Sequence, residues 1–341
     1  MNELYAGMDL HSRNTYIGIM EKDSKKKVFE KRVPNHLSLI LGLFEPFKDQ
    51  LQGIVVESTY NWYWLVDGLM DAGYRCLHLA NPSAIKQYEG LKYSDDRSDA
   101  FWLAHVLSLG ILPEGYIYPK QDRPVRDLLR KRSFLVRHRT AHILSLQSMI
   151  ERQTAQRMGS NKIKTLTSED IKLIFDEEHL VLSARASSAT IEFLTHHIKE
   201  IEKAVRARIK IRKPFEYLLT IPGIGDILTL TIMLEAGDIN RFPRVGNFSS
   251  YARCVSSNRI SNGKSKGKGN TKNGNRYLAW AYIEAAHFAK RFSPRIGRYF
   301  QKKAARTNEI VATKAISNKL ARASYYIIRD QVPFKEEALF C

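Results

Sequence analysis

Asp9, Glu57, Asp96 and Asp99 are the residues whose type and spacing could do chemistry. Asp9 closes the apolar run Leu4-Tyr5-Ala6-Gly7-Met8, and Glu57 closes Gly53-Ile54-Val55-Val56. Asp96 and Asp99 stand three apart at the head of Ala100-Phe101-Trp102-Leu103-Ala104. Carboxylates at neighbouring strand ends repel one another unless a cation neutralises them. Hard divalent cations such as Mg²⁺ take oxygen ligands, and a pair of them suits phosphodiester chemistry. Each acid also has an ordinary reading. Asp96 and Asp99 could serve only the N-terminus of a helix, and Asp9 could be a turn residue. The order of all four in one module favours the functional reading. Asp95 adjoins Asp96, but the Asp-x-x-Asp-Ala spacing favours 96 and 99, with Asp95 or Ser94 as cap.

The elements that must position these acids follow from pattern. Residues 4–10, 14–20 and 27–33 read as strands, with Lys25-Lys26-Lys27 marking a hairpin turn. Residues 35–48 read as a helix with Asn35 as N-cap, 53–57 as a buried strand, 61–72 as a helix ending at Gly73, and 74–80 as a strand stopped by Asn81-Pro82. A short helix over 83–89 and a longer one over 96–109 complete the module. A three-strand meander followed by alternating helix and strand predicts an α/β domain with a mixed sheet. That is the order of the RuvC-like (RNase H-like) nuclease fold, in which acids gather at strand ends.

Beyond this module the chain reads as helical. Residues 122–157 and 186–212 carry apolar residues at three- to four-residue steps, with a loop around Gly159-Ser160-Asn161 between them. Two such helices predict an antiparallel hairpin or a coiled coil between molecules. Helices are also expected over about 276–290, 294–304 and 308–330. Residues 256–276 interrupt them with a Gly/Asn/Lys loop bearing Arg259, Lys264, Lys266, Lys268, Lys272 and Arg276. No acid lies between Asp238 and Glu284. This predicts backbone-phosphate contacts. Ser256, Ser257, Ser261 and Ser265 fall in the same stretch, and a serine hydroxyl beside phosphate becomes a nucleophile if a base or metal activates it. Upstream, Leu218-Leu219-Thr220-Ile221-Pro222-Gly223-Ile224-Gly225 reads as a helix-hairpin-helix turn. The backbone N–H groups around Gly223 and Gly225 would hold a phosphate there, unless this is an ordinary Pro-Gly turn.

Charge supports a polyanionic partner. The 341-residue chain has a net charge of +19. Residues 1–110 carry 12 Lys+Arg against 14 Asp+Glu, and the remainder 42 against 21. A near-neutral acidic-site module is thus followed by a strongly basic one, as expected of a protein that holds nucleic acid with one part and acts on it with another. Cys76, Cys254 and Cys341 have neither zinc spacing nor an even count, so a reducing compartment is expected. With no long apolar run and no signal-like start, a cytoplasmic protein without a membrane span is expected. The histidines are not arranged for metal: His196 and His197, adjacent on a helix, should point to different faces. His138 and His142 suit packing or RNA contact. His11 lies either near the acids or facing solvent.

Taken together, Gly7-Met8-Asp9-Leu10-His11, Val56-Glu57-Ser58-Thr59, Asn81-Pro82, Asp96-Arg97-Ser98-Asp99-Ala100, Ile221-Pro222-Gly223-Ile224-Gly225 and Asn273-Gly274-Asn275-Arg276-Tyr277-Leu278 resemble, in order, the DEDD transposases and Piv-type invertases of the IS110 insertion-sequence family. The resemblance covers nearly the whole chain. It implies a RuvC-like DEDD domain over 1–115, a helical coiled-coil linker over 116–212 and a C-terminal transposase domain over 213–335. It further implies an RNA-guided DNA recombinase whose guide, a structured bridge RNA, pairs with donor and target double-stranded DNA. By motif, Asp9, Glu57, Asp96 and Asp99 would bind metal, two Mg²⁺ per composite site, and Ser261 would be the catalytic serine. Here Arg253-Cys254 replaces the usual Gly-Leu, Ser256 a common proline, and Asn262 the glycine after the serine, so Ser257 is the alternative nucleophile. Asn262-Gly263 still permits a tight turn. The implied reaction is Mg-dependent cleavage and exchange through a covalent phosphoserine, in a dimer or tetramer whose protomers could share sites. A metal-dependent junction endonuclease using water, and a non-catalytic nucleic-acid-binding scaffold, are the alternatives.

Overall fold

The meander forms as patterned: β1 (Leu4–Leu10), β2 (Asn14–Glu21) and β3 (Lys27–Pro34) pair antiparallel. The computed structural model describes residues 3–85, 95–207, 213–268 and 273–340, in two compact units, Met1–Lys120 and Gln121–Cys341. In the first unit there follow α1 (Leu37–Phe44), β4 (Leu51–Glu57), α2 (Tyr63–Asp71), β5 (Leu77–Ala80), α3 (Pro82–Ile85), α4 (Asp96–Ser108) and the two-residue β6 (Glu114–Gly115). The sheet order is β3-β2-β1-β4-β5-β6, with β1, β4 and β5 mutually parallel and the other pairings antiparallel. The expected mixed sheet is therefore present. The rest of the expected 83–89 helix lies outside the described residues. One element differs in detail. Asn35 caps nothing: α1 begins two residues later behind His36, and the Asn35 side chain turns inward to neighbours of β1 and β2.

Both faces of the sheet are covered, which explains why β1 is almost continuously buried. On one side Met8, Ile17, Ile54 and Val56 pack with Phe44 of α1 and Leu65 and Leu69 of α2. On the other, Phe101 and Ala104 of α4 meet Met20, while Leu103 and Leu107 meet Val55 and Ala80. Gly7 and Gly18 are register partners beneath α4. A Cβ on Gly7 would fall on the Ala100 carbonyl and 2.8 Å from the Ala104 nitrogen, and one on Gly18 would press the Phe101 ring at 3.2 Å. The absent side chains let α4 settle on β1, which brings its first turn beside Asp9. Gly7→Ala should therefore destabilise this unit by about 2 kcal/mol or more, since helix backbone rather than a flexible side chain must yield. Chemical denaturation checks this; wild-type stability would show that α4 is not seated there.

The second unit begins with α5 (Arg123–Thr154), α6 (Ser160–Ile163), α7 (Ser168–Ile174) and α8 (Glu178–Ala207). Leu129 near the start of α5 packs with Val205 near the end of α8, while Ile143, Leu146 and Ile150 pack with Ala184 and Ile191. The two long helices are thus antiparallel partners within one chain, joined by two short helices rather than a plain loop. The helix expected to start at 186 starts at 178 because Leu180, Val181 and Ala184 extend its apolar face. Residues 208–212 of that expected helix lie outside the described residues. There follow α9 (Lys213–Leu219), α10 (Asp226–Ala236), α11 (Val245–Tyr251), the hairpin β7 (Asn258–Ser261) and β8 (Lys264–Lys268), α12 (Arg276–Phe292), α13 (Pro294–Arg306) and α14 (Glu309–Asp330). Small residues on α12 (Ala281, Ala285, Ala286, Ala289) admit close packing around Tyr282 and Ile316. The basic stretch expected to be a formless loop is in part a hairpin. Asn262 (φ +50°) and Gly263 (φ +69°) make a tight two-residue turn, and Gly267 (φ +101°) sits within the register irregularity of the pair. Among the described residues no helix is long and apolar enough to cross a membrane. Cys76 is exposed and Cys254 buried, both free thiols.

Candidate active site

Asp9 is the penultimate residue of β1 and Glu57 the last of β4, adjacent parallel strands in register at Met8 and Val56. Both carboxylates therefore leave the same sheet edge, where open α/β sheets place their ligands. Asp9 is 3% exposed and hydrogen-bonds the Glu57 side chain. Asp96 and Asp99 lie in the first turn of α4, started by an Asp95 N-cap that forms a reciprocal capping box with Ser98. Asp95 is thus the cap, and Asp96 lies beside His11 and Arg32. His11 joins the group: its Nε2 lies 3.1 Å from Asp9 Oδ2 and 3.2 Å from Asp96 Oδ1. Asp99 acts on Asp9 and Glu57 through its charge. Among the described residues, Asp9, His11 and Asp96 have ligand atoms within 4.8 Å of one another, Glu57 adjoins Asp9, and Asp99 bears on Asp9 and Glu57 by its charge.

Three further residues hold this arrangement. Asn35 and Asn61 each donate to the His11 carbonyl, at 2.9 and 3.1 Å, and Thr15 donates to Asn35. They fix the backbone just past Asp9. Arg32 on β3 pairs with Asp96, and Arg97 donates to Glu30 at 2.7 Å, tying α4 to β3. Residues up to 67 positions apart make these contacts, and no local pattern announces them.

The electrostatics are those of crowded carboxylates. Burial foremost, then the hydrogen bond and charge of Asp9 and the charge of Asp99, push Glu57 up to about 7. Asp9 is also raised, by burial first and by the charges of Asp96 and Asp99, against the opposing effects of Glu57 and His11. Burial alone would lower the His11 pKa, but the hydrogen bond to Asp96 and the charges of Asp9, Asp96 and Glu57 outweigh it and raise it. Both acids are thus harder to ionise than usual, and a bound cation would favour their charged forms. Oxygen donors in this number, with one imidazole alongside, fit a divalent cation.

A pH dependence follows. The folded pKa of Glu57, about 7, lies above its ordinary 4.5, so the folded chain binds more protons in that window and loses stability as pH rises through it. The effect is on the order of 1–3 kcal/mol. Metal-free protein should melt lower at pH 8 than at pH 5, Mg²⁺ should raise the melting temperature more at pH 8, and Glu57→Gln should flatten both differences. Equal Mg²⁺ effects at the two pH values would contradict a proton displaced by the cation.

In the second unit Ser261 is exposed at the end of β7, directly before the Asn262-Gly263 turn and paired with Lys264. Directly opposed residues of an antiparallel pair share a face, so Lys264 and Ser261 stand on the same face of the hairpin. Ser257 is half-buried. Lys264, Lys266 and Arg276 are exposed, Arg259 and Lys268 belong to the hairpin strands, and Lys272 lies outside the described residues. Gly225 is the N-cap of α10, whereas Gly223 (φ +87°) is pressed against α12, where a Cβ would meet Ala289 N at 2.5 Å. Packing accounts for Gly223. His196 and His197, expected on different faces, both reach Glu200, at 3.4 and 2.7 Å, on the exposed side of α8. The helix turn places a residue three or four positions on within reach of both.

An α/β unit that gathers carboxylates near its strand ends, with a group that could hold a metal ion, is followed in the chain by a strongly basic, mostly helical unit. Two family models match: a DEDD transposase model of the IS110 type over residues 6–153, and that of the Transposase IS116/IS110/IS902 family over residues 215–301. The chain belongs to this transposase family. Among its relatives are the y4qE protein of Sinorhizobium fredii, 25% identical over 71% of this chain and 58% of its own length, and the transposase for insertion sequence element IS1111A of Coxiella burnetii, 26% identical over 61% of this chain and 58% of its own. The chain therefore spans a little over half the length of these two. The pilin gene-inverting protein of Moraxella bovis is 23% identical over 98% of both chains.

Proposed function

We propose that this protein is an insertion-sequence transposase, a DNA recombinase that cuts and rejoins strands through a serine-linked intermediate. The observation that carries the reading is the grouping of Asp9, His11 and Asp96 near the ends of β1 and β4, with Glu57 beside Asp9 and Asp99 in the same helical turn as Asp96. Family membership and a relative that inverts a pilin gene support it. The N-terminal fold is taken as RuvC-like, with 116–212 as the coiled-coil linker and 213–335 as the transposase domain. Asp9, Glu57, Asp96 and Asp99 would hold the divalent cations, Mg²⁺ by the hardness of the donors, which when bound polarise the scissile phosphate and neutralise its developing charge.

The remaining roles fall to the chain itself. Ser261 Oγ attacks phosphorus: the Oγ–P bond forms, the P–O3′ bond breaks, and the departing 3′-oxygen takes up the proton that serine loses. The phosphoserine keeps the bond energy, so a 3′-hydroxyl from another strand reverses the step and joins new partners without an added energy source. Lys264, on the same face of the hairpin, steers a phosphate toward the hydroxyl. Lys266, Arg276 and the basic hairpin hold backbone phosphates of donor and target DNA and of a structured bridge RNA, and base pairing to that RNA chooses the sequence. A dimer or tetramer carries out the exchange.

The test is a reaction of purified protein with DNA spanning its own gene and flanks, with and without RNA transcribed from the flank, in Mg²⁺ or EDTA. Joined products that need both RNA and Mg²⁺ support the reading. Mg²⁺-dependent cutting without joining would mark a junction endonuclease. Joining that ignores the RNA would mean the protein reads DNA itself, and DNA binding with no strand chemistry would mark a scaffold.

A further inference from the structure

Arg253 occupies a backbone position that suits glycine. Helix α11 ends in a Schellman motif, with the amide of Arg253 donating to Ser250 O and that of Cys254 to Ser249 O, both at 2.9 Å. The residue after the cap must then be left-handed, and Arg253 has φ +56°. An L side chain there is strained, and strain of this kind persists where the side chain is used. Its use is visible: Arg253 Nε donates to the Gly274 carbonyl at 2.9 Å, across the two ends of the segment that carries Ser261. A second rung lies alongside, from the Asn275 amide to Tyr251 O at 2.6 Å. Gly274 (φ +92°) leaves no room for a Cβ against Tyr251 O. Asn275 caps α12 through Tyr277 and Leu278 N–H, and its amide donates to the buried Glu235, which Arg126 and Arg130 of α5 also hold. The exit of the segment is thus anchored to the long helix, while its entry is joined to that anchor by Arg253.

We propose that Arg253 is a positioning residue that latches the base of the serine-bearing segment and so sets where Ser261 is presented. The inference rests on the reading of Ser261 as nucleophile. Arg253→Gly separates latch from fold, because glycine relieves the left-handed strain while the latch is lost. Three quantities are measured on the full chain with DNA and RNA: melting temperature, DNA affinity, and the rate of covalent protein–DNA adduct formation. Arg253→Gly should keep or raise the melting temperature and leave affinity within about threefold, while slowing adduct formation roughly ten- to hundredfold. Arg253→Lys, which keeps a donor of similar reach, should fall between. Adduct formation by Arg253→Gly at the wild-type rate, or a slowing that tracks a lowered melting temperature, would overturn the latch. Ser261→Ala run in parallel separates the failures: if it forms adduct normally, the reading of Ser261 as nucleophile falls and this inference with it. If Ser261→Ala forms no adduct and Arg253→Gly is unimpaired, the latch alone falls.

Discussion

Replacing Glu57 by glutamine is expected to abolish strand chemistry while leaving the fold intact or firmer. Glutamine keeps the size of the side chain and can still hydrogen-bond Asp9. It removes one of the crowded carboxylates whose burial and mutual repulsion raise the Glu57 pKa to about 7. The metal-free protein should therefore melt at the same temperature or higher. Cation affinity should fall, because a neutral oxygen replaces an anionic one next to a buried aspartate. If the cations supply several kcal/mol to the barrier, strand cleavage should slow by roughly 10²- to 10⁴-fold. DNA affinity should hold, since the basic residues proposed to bind phosphate belong to the other unit. Gel assays of cleavage and binding on the same preparations check both halves. Unchanged strand cleavage would show that the acidic site is not catalytic.

Ser261→Ala should be as severe for chemistry and milder still for the fold. The hydroxyl is exposed at a hairpin tip and supports no packing, so stability should change by less than about 0.5 kcal/mol. Without the nucleophile, covalent adduct should disappear and strand exchange should drop by on the order of 10⁴-fold or more. Cutting that continues without adduct would instead identify water as the nucleophile and a junction endonuclease as the better account. The half-buried Ser257 provides the internal comparison: Ser257→Ala should retain adduct formation.

What could be read along the chain was what depends on neighbours in sequence. Asp9 and Glu57 stood out because each ends an apolar run that must be a buried strand, and a charge at such an end is costly without a purpose. Asp96 and Asp99 were legible from the first-turn spacing of a helix, although only the structure distinguishes Asp95 as the cap. Contacts across the fold were not legible. Asn35 looked like a helix cap because it precedes an apolar helix, yet its side chain serves Thr15 and His11. Arg32 reaches Asp96 only because β3 lies two strands from β1. The β7–β8 hairpin was hidden by composition: Lys, Gly, Asn and Ser have weak strand preference, and only the Asn262-Gly263 turn hinted at it. Arg253 looked like a departure from a Gly-Leu pair; its meaning appears only with φ +56° and the bond to Gly274.

The central claim is that a serine of the basic unit becomes bonded to DNA under the control of acids in the N-terminal unit. It is tested most directly by quenching the Mg²⁺ reaction with denaturant, digesting protein and DNA, and locating the nucleotide-bearing peptide by mass spectrometry. The account predicts a 5′-phosphonucleotide on Ser261, absent in EDTA and absent from Glu57→Gln. A modified Ser257, or efficient strand cleavage with no modified peptide at all, would contradict it.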